Sequence, residues 1–228
     1  MRIAIFQHVP FETEGSIADT LRRMQRPFEH IPLFDGASIP ASEDIDFAVF
    51  MGGPMSVNDE KEYPWLAAEK EFAREYIQKG KPALGICLGA QIMASALGAQ
   101  IFKNPRGKEI GWHPVSGKIP GFPMSFMAFH WHGETFNLPQ GAERIAESAA
   151  CKNQAFRYKN AIGLQFHLET TEESMQSLIR NCEAELGEKD PYIQSKRVIL
   201  EHAPKYIPQG NALMDRLLIS LLPARHCI

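Results

Sequence analysis

The sequence lacks the features that mark several broad classes of protein. Its 228 residues contain no apolar stretch near the roughly 20 residues that a membrane-spanning helix requires. The net charge is −3 and the basic residues are scattered, whereas a nucleic-acid partner needs a clustered positive face. From these absences we expect that the chain neither spans a membrane nor binds nucleic acid.

Disulfide and export signals are absent as well. The four cysteines, Cys87, Cys151, Cys182 and Cys227, are widely spaced and form no Cys-x-x-Cys pair. The short apolar run near the N-terminus meets a polar residue too early to be a signal-peptide core. We therefore expect free thiols and a cytoplasmic protein.

Short strand-like runs alternate with helical patterns in the first half of the chain, which predicts parallel strands joined by right-handed crossovers. The predicted strands are Arg2–Gln7, Phe28–Phe34, Ile45–Met51 and Pro82–Ile86, and the predicted helices are Ser16–Met24, Trp65–Gln78 and Leu88–Leu97. After Gln100, the runs Gly111–Gly117, Ser125–Trp131 and Phe156–Phe166 predict a mixed or partly antiparallel extension.

The last part of the chain has helical patterns at Glu172–Leu186, Tyr192–His202 and Ala212–Leu222. We find no internal repeat or linker. With 44% hydrophobic and 22% charged residues, the composition is that of an ordinary globular protein. We therefore expect a single α/β domain over residues 1–228, with a helical C-terminal appendage from about residue 187 to 228.

A candidate nucleophile, Cys87, lies where the fourth predicted strand turns into a helix. Gly85 and Gly89 flank it at two residues on either side, which permits a tight turn that pushes the side chain out of the sheet. Free N–H groups at the start of the helix lower a thiol pKa and can hold an oxyanion. Most free cysteines are only small buried hydrophobes, so the turn is what favours a reactive thiol here.

A candidate base follows another apolar run, at His167. Residues two apart share one face of a strand, so Glu169 can bond one ring nitrogen while the other nitrogen faces a thiol. A third signal is Gly52-Gly53, directly after the third predicted strand, where the backbone can approach a ligand and offer an N–H. Because ligands bind at the C-terminal ends of parallel strands, Gly53, Cys87 and His167 are expected to meet at one edge.

Three motifs in this order resemble the class I, or triad, glutamine amidotransferases, with a particular likeness to the glutaminase domain of GMP synthase and its stand-alone relatives. They are Gly52-Gly53-Pro54, Gly-Ile-Cys-Leu-Gly-Ala-Gln at 85–91 and Gln-Phe-His-Leu-Glu at 165–169. The resemblance covers about Arg2 to Glu185. It implies a flavodoxin-like three-layer α/β sandwich with a central, mostly parallel sheet.

The resemblance also implies roles for individual residues. It implies a catalytic triad of Cys87, His167 and Glu169, and an oxyanion hole formed by the backbone N–H groups of Gly53 and Leu88. It further implies that the substrate is held by Gly52, Gln91, His130, Trp131 and His132. One departure is Leu168, which stands where the family usually has a proline that would stiffen the turn.

Three functions stay open. The first is a glutaminase that cleaves glutamine through a Cys87 thioester and passes ammonia to a separate synthetase subunit. The second is a free-standing hydrolase of γ-glutamyl amides or peptides. The third, a non-catalytic regulatory protein, is disfavoured because a degenerate relative would be expected to lose a triad residue. The leucine-rich helix Ala212–Leu222 could pack on the core or form the face of a homodimer.

A metal site is the remaining alternative, because His130 and His132 share one face of a predicted strand and His8, His113 and Glu134 could join them. Zinc sites do use histidine and carboxylate ligands. However, the chain has no His-Glu-x-x-His or Cys-x-x-Cys spacing, and paired histidines on a strand more often pack or bind substrate. We therefore expect no metal and no other cofactor.

Overall fold

The computed structural model describes residues 1–187 and 189–222, so Cys227 and the end of the predicted appendage lie outside the described residues. Strands and helices alternate through the first hundred residues, as the sequence predicts. The strands are β1 (Ile3–Gln7), β2 (Phe28–Pro32), β3 (Phe47–Phe50), β4 (Ala83–Ile86), β5 (Ile101–Lys103), β6 (Glu109–Gly117), β7 (Ser125–His132), β8 (Glu134–Phe136), β9 (Glu143–Ser148), β10 (Ala155–Tyr158) and β11 (Ala161–Leu164). The helices are α1 (Ser16–Arg23), α2 (Trp65–Gln78), α3 (Leu88–Ala96), α4 (Glu172–Cys182) and α5 (Lys196–Leu221).

Within the described residues, nine strands form one sheet in the order β2-β1-β3-β4-β11-β10-β9-β6-β7. The pairings from β2 through β11 are parallel, and those from β11 to β7 are antiparallel. Strands β5 and β8 pair separately. The predicted antiparallel extension is therefore confirmed, and it grows from the last parallel strand, β11, rather than from a separate sheet.

Helices cover both faces of the sheet and make the predicted three-layer sandwich. Along β1, Ile3 and Ile5 face a core that also contains side chains of α1 and α5. The alternate residues Ala4 and Phe6 face a second core with side chains of α2 and α3. Both faces of β1 are buried, and this is why its sequence is an unbroken apolar run rather than an alternation.

The C-terminal helices differ from the prediction. Instead of two helices at Tyr192–His202 and Ala212–Leu222, one helix of 26 residues, α5, runs through Pro204 and Pro208. A proline inside a helix removes a hydrogen bond, so a helix that runs through two prolines is costly on local grounds. Packing overrides that cost here, because α5 contacts α1, β6 and β7 and buries a leucine-rich face in the core.

Smaller differences concern element ends. Helix α4 ends at Cys182 and continues as a short 3₁₀ turn, so the predicted end at Leu186 is four residues too late. The run Phe156–Phe166 contains two strands, β10 and β11, divided by a turn at Lys159, whose φ is 52°. The short strands β5, β8 and β9 had no predicted counterpart.

Among the described helices, none is long and apolar enough to cross a membrane.

Gly89 sets how closely α3 approaches the sheet. A Cβ at this position would overlap the carbonyl oxygen of Phe50, which belongs to the backbone of β3 and has little freedom to move. We expect Gly89→Ala to lower the free energy of unfolding by about 3 kcal/mol, measured by denaturant titration. Gly187→Ala is the matched control, because a Cβ there meets nothing within 4 Å, and its effect should stay within about 0.5 kcal/mol. Equal effects of the two substitutions would contradict this packing.

Candidate active site

Cys87 lies in the turn between β4 and α3, with backbone φ 50° and ψ −106°. Residues with a Cβ rarely adopt a positive φ, and such strained positions cluster at functional sites. The Cys87 N–H donates to the Leu164 carbonyl at 2.7 Å, which ties the turn to the end of β11. The side chain is buried and lines a cavity of about 550 Å³.

His167 follows β11 and pairs with β7, because its N–H donates to the Phe129 carbonyl at 2.8 Å. Its Nδ1 lies 2.7 Å from Oε1 of Glu169, and both side chains are buried. The His167 ring and the Cys87 thiol lie close enough that each shifts the pKa of the other. The structure therefore brings together the three side chains that the sequence predicts to act together.

The electrostatics of the trio favour proton transfer to His167. Burial lowers the pKa of His167, but the Glu169 carboxylate and the Cys87 sulfur outweigh burial and hold that pKa well above its ordinary value. Burial raises the pKa of the Cys87 thiol, and the nearby His167 only partly offsets this. A proton leaving the thiol thus has a strong acceptor beside it.

Backbone hydrogen bonds restrain Glu169 despite Leu168 in the place of proline. The Leu168 and Thr170 carbonyls both accept from Asn211 Nδ2 of α5, each at 2.9 Å. The Glu169 carbonyl accepts from the Ser16 N–H at 2.9 Å. Helices α1 and α5 therefore hold the segment in the way that a proline would otherwise help to do.

Two backbone N–H groups were predicted near the thiol. The backbone N–H of Leu88, the first residue of α3, lies beside the Cys87 thiol and lowers its pKa, although burial outweighs this effect. Gly53 follows β3 and lines the same cavity as Cys87. The preceding carbonyl, that of Gly52, accepts from Nδ1 of His8 at 3.0 Å.

The predicted substrate-binding residues divide into two groups. Gln91, Trp131 and His132 line the cavity with Cys87. Gly52 and His130 are not among its lining residues, and the His130 side chain is fully buried away from it. The His130 ring points to the opposite side of β7 from Trp131, because neighbouring residues on a strand face opposite ways.

Gln91 is held by a neighbour that the sequence did not single out. Its Nε2 donates to Oε1 of Gln165 at 3.1 Å, and Nε2 of Gln165 lies 3.5 Å from the Cys87 sulfur. Gln165 is fully buried. The Gln-Phe-His-Leu-Glu motif contains it, but nothing in the motif's spacing indicates a contact with a residue 78 positions away.

His130 and His132 meet Glu109, a residue that no motif or spacing had singled out. Each of the three residues has an atom that could bind a metal ion, and these three atoms all lie within 4.8 Å of one another. Of the other predicted ligands, His8 contacts Glu69 instead. The His113 ring packs against His130, with ring centroids 5.8 Å apart, but its Nε2 contacts the backbone carbonyls of Ile110 and Tyr192.

Hydrogen bonds already occupy the oxygen that Glu109 would offer to a metal. Oε2 of Glu109 accepts from Ser148 Oγ at 3.0 Å and from Gln154 Nε2 at 2.5 Å, and it lies 3.2 Å from Nε2 of His132. Burial raises the pKa of Glu109, but the two histidines and Ser148 bring it down to about 2. Burial lowers the pKa of His130 to about 3. We interpret the cluster as a hydrogen-bond network around one buried carboxylate.

Glu12 is a second acidic residue at the site that was not predicted. It lines the cavity with Cys87 and also a small cavity of about 20 Å³ beside His167 and Glu169. Burial raises its pKa to about 7, partly opposed by His167 and His8. It lies in the loop between β1 and α1, where no motif or periodicity indicates a functional side chain.

Several known proteins are similar to this chain in sequence. The family model for glutamine amidotransferase class-I matches residues 12–185. The chain is 30% identical over 214 residues to the glutamine amidotransferase-like protein YfeJ of Salmonella typhimurium, with 87% of each protein covered. It is 31% identical over 107 residues to a glutamine-hydrolysing GMP synthase subunit of Methanospirillum hungatei, which covers 44% of this chain and 57% of that protein.

Solved structures are similar over nearly the whole chain. A glutamine amidotransferase from Thermotoga maritima has a TM-score of 0.89 and 33% sequence identity, and covers 98% of this chain and 99% of its own. A glutamine amidotransferase from Methylobacillus flagellatus has a TM-score of 0.91 and 28% sequence identity. The match covers 100% of this chain and 98% of that protein's chain.

The Glu169 charge sets the proton affinity of His167. Glu169→Gln keeps the shape and removes the charge, so we expect the pKa of His167 to fall by roughly 1 to 3, measured by NMR titration of the imidazole. Glu172→Gln, which changes an exposed carboxylate nearby in the sequence, should leave that pKa in place. A His167 pKa that is unchanged by Glu169→Gln would show that the carboxylate is not the cause.

Proposed function

The chain belongs to the class-I glutamine amidotransferase family, and from this we propose that it cleaves a γ-glutamyl amide through a thioester on Cys87. The observation that carries the proposal is the hydrogen-bonded pair of His167 and Glu169 beside the Cys87 thiol, with the thiol lining a cavity. A thiol, a base in contact with it and a carboxylate that orients the base are the parts that nucleophilic catalysis needs.

In the first half of the reaction, the Cys87 sulfur attacks the γ-carbonyl carbon as His167 takes the thiol proton. The carbonyl oxygen becomes an oxyanion, which the N–H groups of Gly53 and Leu88 stabilise. His167 then gives its proton to the amide nitrogen, and the carbon–nitrogen bond breaks. Ammonia or an amine departs, and a γ-glutamyl thioester remains.

In the second half, His167 takes a proton from a water molecule that attacks the thioester carbon. The carbon–sulfur bond breaks, the proton returns to the sulfur, and glutamate is released. Glu169 stabilises the imidazolium in both halves and fixes which ring nitrogen faces the thiol. Gln91, Trp131 and His132, on the cavity wall, are proposed to hold the glutamyl part of the substrate.

Two versions of this function differ in the leaving group, which is ammonia in one and an amine in the other. Relatives named as glutamine-hydrolysing GMP synthase subunits support a glutaminase that supplies ammonia to a separate synthetase. The cavity of about 550 Å³ supports the second version, a hydrolase of γ-glutamyl peptides, because cavities of this size hold ligands much larger than glutamine. A regulatory protein without activity is the weakest candidate, since Cys87, His167 and Glu169 are all present and lie together.

Glutamate release from L-glutamine, glutathione and γ-glutamyl dipeptides tests the function and separates its two versions. Cys87→Ala should abolish release from every substrate while the protein stays folded, because it removes the nucleophile. Cys151→Ala is the matched control, as Cys151 is buried but does not line the cavity, and it should keep the activity. Fast release from peptides would favour the hydrolase, and slow release from glutamine alone the synthetase-dependent enzyme. Full activity of Cys87→Ala would refute the mechanism.

A further inference from the structure

A second histidine–carboxylate pair lies beside the site, outside the three residues that carry the proposed chemistry. Nε2 of His8, in the loop after β1, lies 2.9 and 3.1 Å from the two carboxylate oxygens of Glu69 in α2. Both side chains are 0% exposed. The His8 ring also stacks on Trp65, with ring centroids 5.4 Å apart. Such a pair contributes little stability on its own, because burying two charges costs about what their attraction returns.

The hydrogen-bond partners of His8 identify where its protons are. Nδ1 faces the Gly52 carbonyl at 3.0 Å, and a carbonyl only accepts, so Nδ1 must carry a proton. Nε2 faces a carboxylate, which also accepts, so an ionised Glu69 requires a proton there too. Burial lowers the pKa of His8, but Glu69 and Gly52 outweigh burial and raise that pKa above its ordinary value. His8 therefore donates to the Gly52 carbonyl from Nδ1, and its raised pKa favours the charged form.

That hydrogen bond fixes the direction of the next N–H. A trans peptide is planar, with its C=O and N–H on opposite sides, and the described chain has no cis peptide. With the Gly52 carbonyl turned towards His8, the Gly53 N–H must point the other way. Gly53 lines the cavity that contains Cys87, and no acceptor for its N–H is found within residues 1–187 and 189–222.

The two glycines explain why such a restraint is needed. A Cβ on Gly52 would overlap Oε2 of Glu12 and lie 3.4 Å from Cε1 of His167. A Cβ on Gly53 would lie 2.7 Å from both Leu88 Cδ2 and Met55 Sδ. A Cβ at either position would displace these side-chain ends at the site, and two successive glycines leave the peptide between them easily rotated. An added contact is therefore needed to hold its orientation.

We propose that the Glu69–His8 pair is a positioning device that presets the Gly52–Gly53 peptide so that the Gly53 N–H receives the oxyanion. The inference rests on the proposed function, because it assigns a purpose to the oxyanion that Cys87 would generate. The hydrogen bond from His8 also polarises the peptide, which strengthens the N–H as a donor. Neither residue touches the substrate.

The double variant His8→Phe with Glu69→Leu separates positioning from stability. It keeps a ring against Trp65 and replaces the buried charges with apolar groups, so the fold should be as stable as before or more so. We expect kcat for glutamate release to fall about 10- to 100-fold with KM within about threefold, since removing one oxyanion donor outright costs roughly 100- to 1,000-fold. Alkylation of Cys87 by iodoacetamide should keep its rate, because the thiol and His167 are untouched.

Two further variants sharpen the comparison. Glu69→Gln can still orient a neutral His8 with its Nδ1 proton on Gly52, so kcat should stay within about fivefold of the unaltered protein. The matched control is His30→Phe with Glu14→Leu, which removes another histidine–glutamate pair, 3.6 Å apart, that does not contact Gly52. That control should keep kcat.

A crystal structure of the His8→Phe, Glu69→Leu variant would show the orientation of the Gly52–Gly53 peptide directly, without any measurement of activity. We expect the Gly52 carbonyl to turn away from its present direction or to take two orientations. An unmoved peptide, or a stable double variant with unchanged kcat, would overturn the inference. Absence of Cys87-dependent glutamate release by the unaltered protein would instead refute the proposed function, and the peptide orientation would still decide the positioning claim.

Discussion

Parallel pairing of β3, β4 and β11 is the constraint on which the site depends. The three strands are neighbours in the sheet and run the same way, so their C-terminal ends meet at one edge. Gly53 follows β3, Cys87 follows β4 and His167 follows β11. No loop has to carry any of these groups far, and the hydrogen bond from the Cys87 N–H to Leu164 fixes two of the strand ends together.

Two buried histidine–glutamate pairs lie at this edge of the sheet, and in each pair the glutamate orients the histidine ring. Glu169 orients His167 towards the thiol, and Glu69 orients His8 towards a backbone carbonyl. Each pair is expensive to bury, so its value lies in fixing a ring rather than in stabilising the fold. In our account the first pair sets the path of the proton and the second sets the site of the oxyanion, which are the two demands of acyl transfer.

The parts predicted from the sequence are those with a local signature. A cysteine between two glycines at a strand–helix turn, and a histidine two residues before a glutamate, are visible as motifs, and the structure brings them together. Glu69, Gln165 and Glu109 were missed because they meet their partners 61, 78 and 23 residues away, and no spacing rule encodes such contacts. The catalytic roles of the motif residues stay predictions that the geometry supports.

The same distinction holds for the fold. Unbroken apolar runs predicted the parallel strands well, because both faces of those strands are buried. Two helices were predicted in what is one helix, since local patterns do not register the packing of α5 on α1 and the sheet. The short strands β5, β8 and β9 exist through their pairing with partners distant in sequence, and their own residues gave no strong pattern.

The most direct test of the central claim is to trap the thioester. The protein would be quenched with acid during turnover of L-glutamine or a γ-glutamyl peptide, and then analysed by intact and peptide mass spectrometry. Our account predicts one γ-glutamyl group, attached to the peptide that contains Cys87 and absent from the Cys87→Ala variant. Glutamate release with no adduct, or an adduct on another residue, would contradict it.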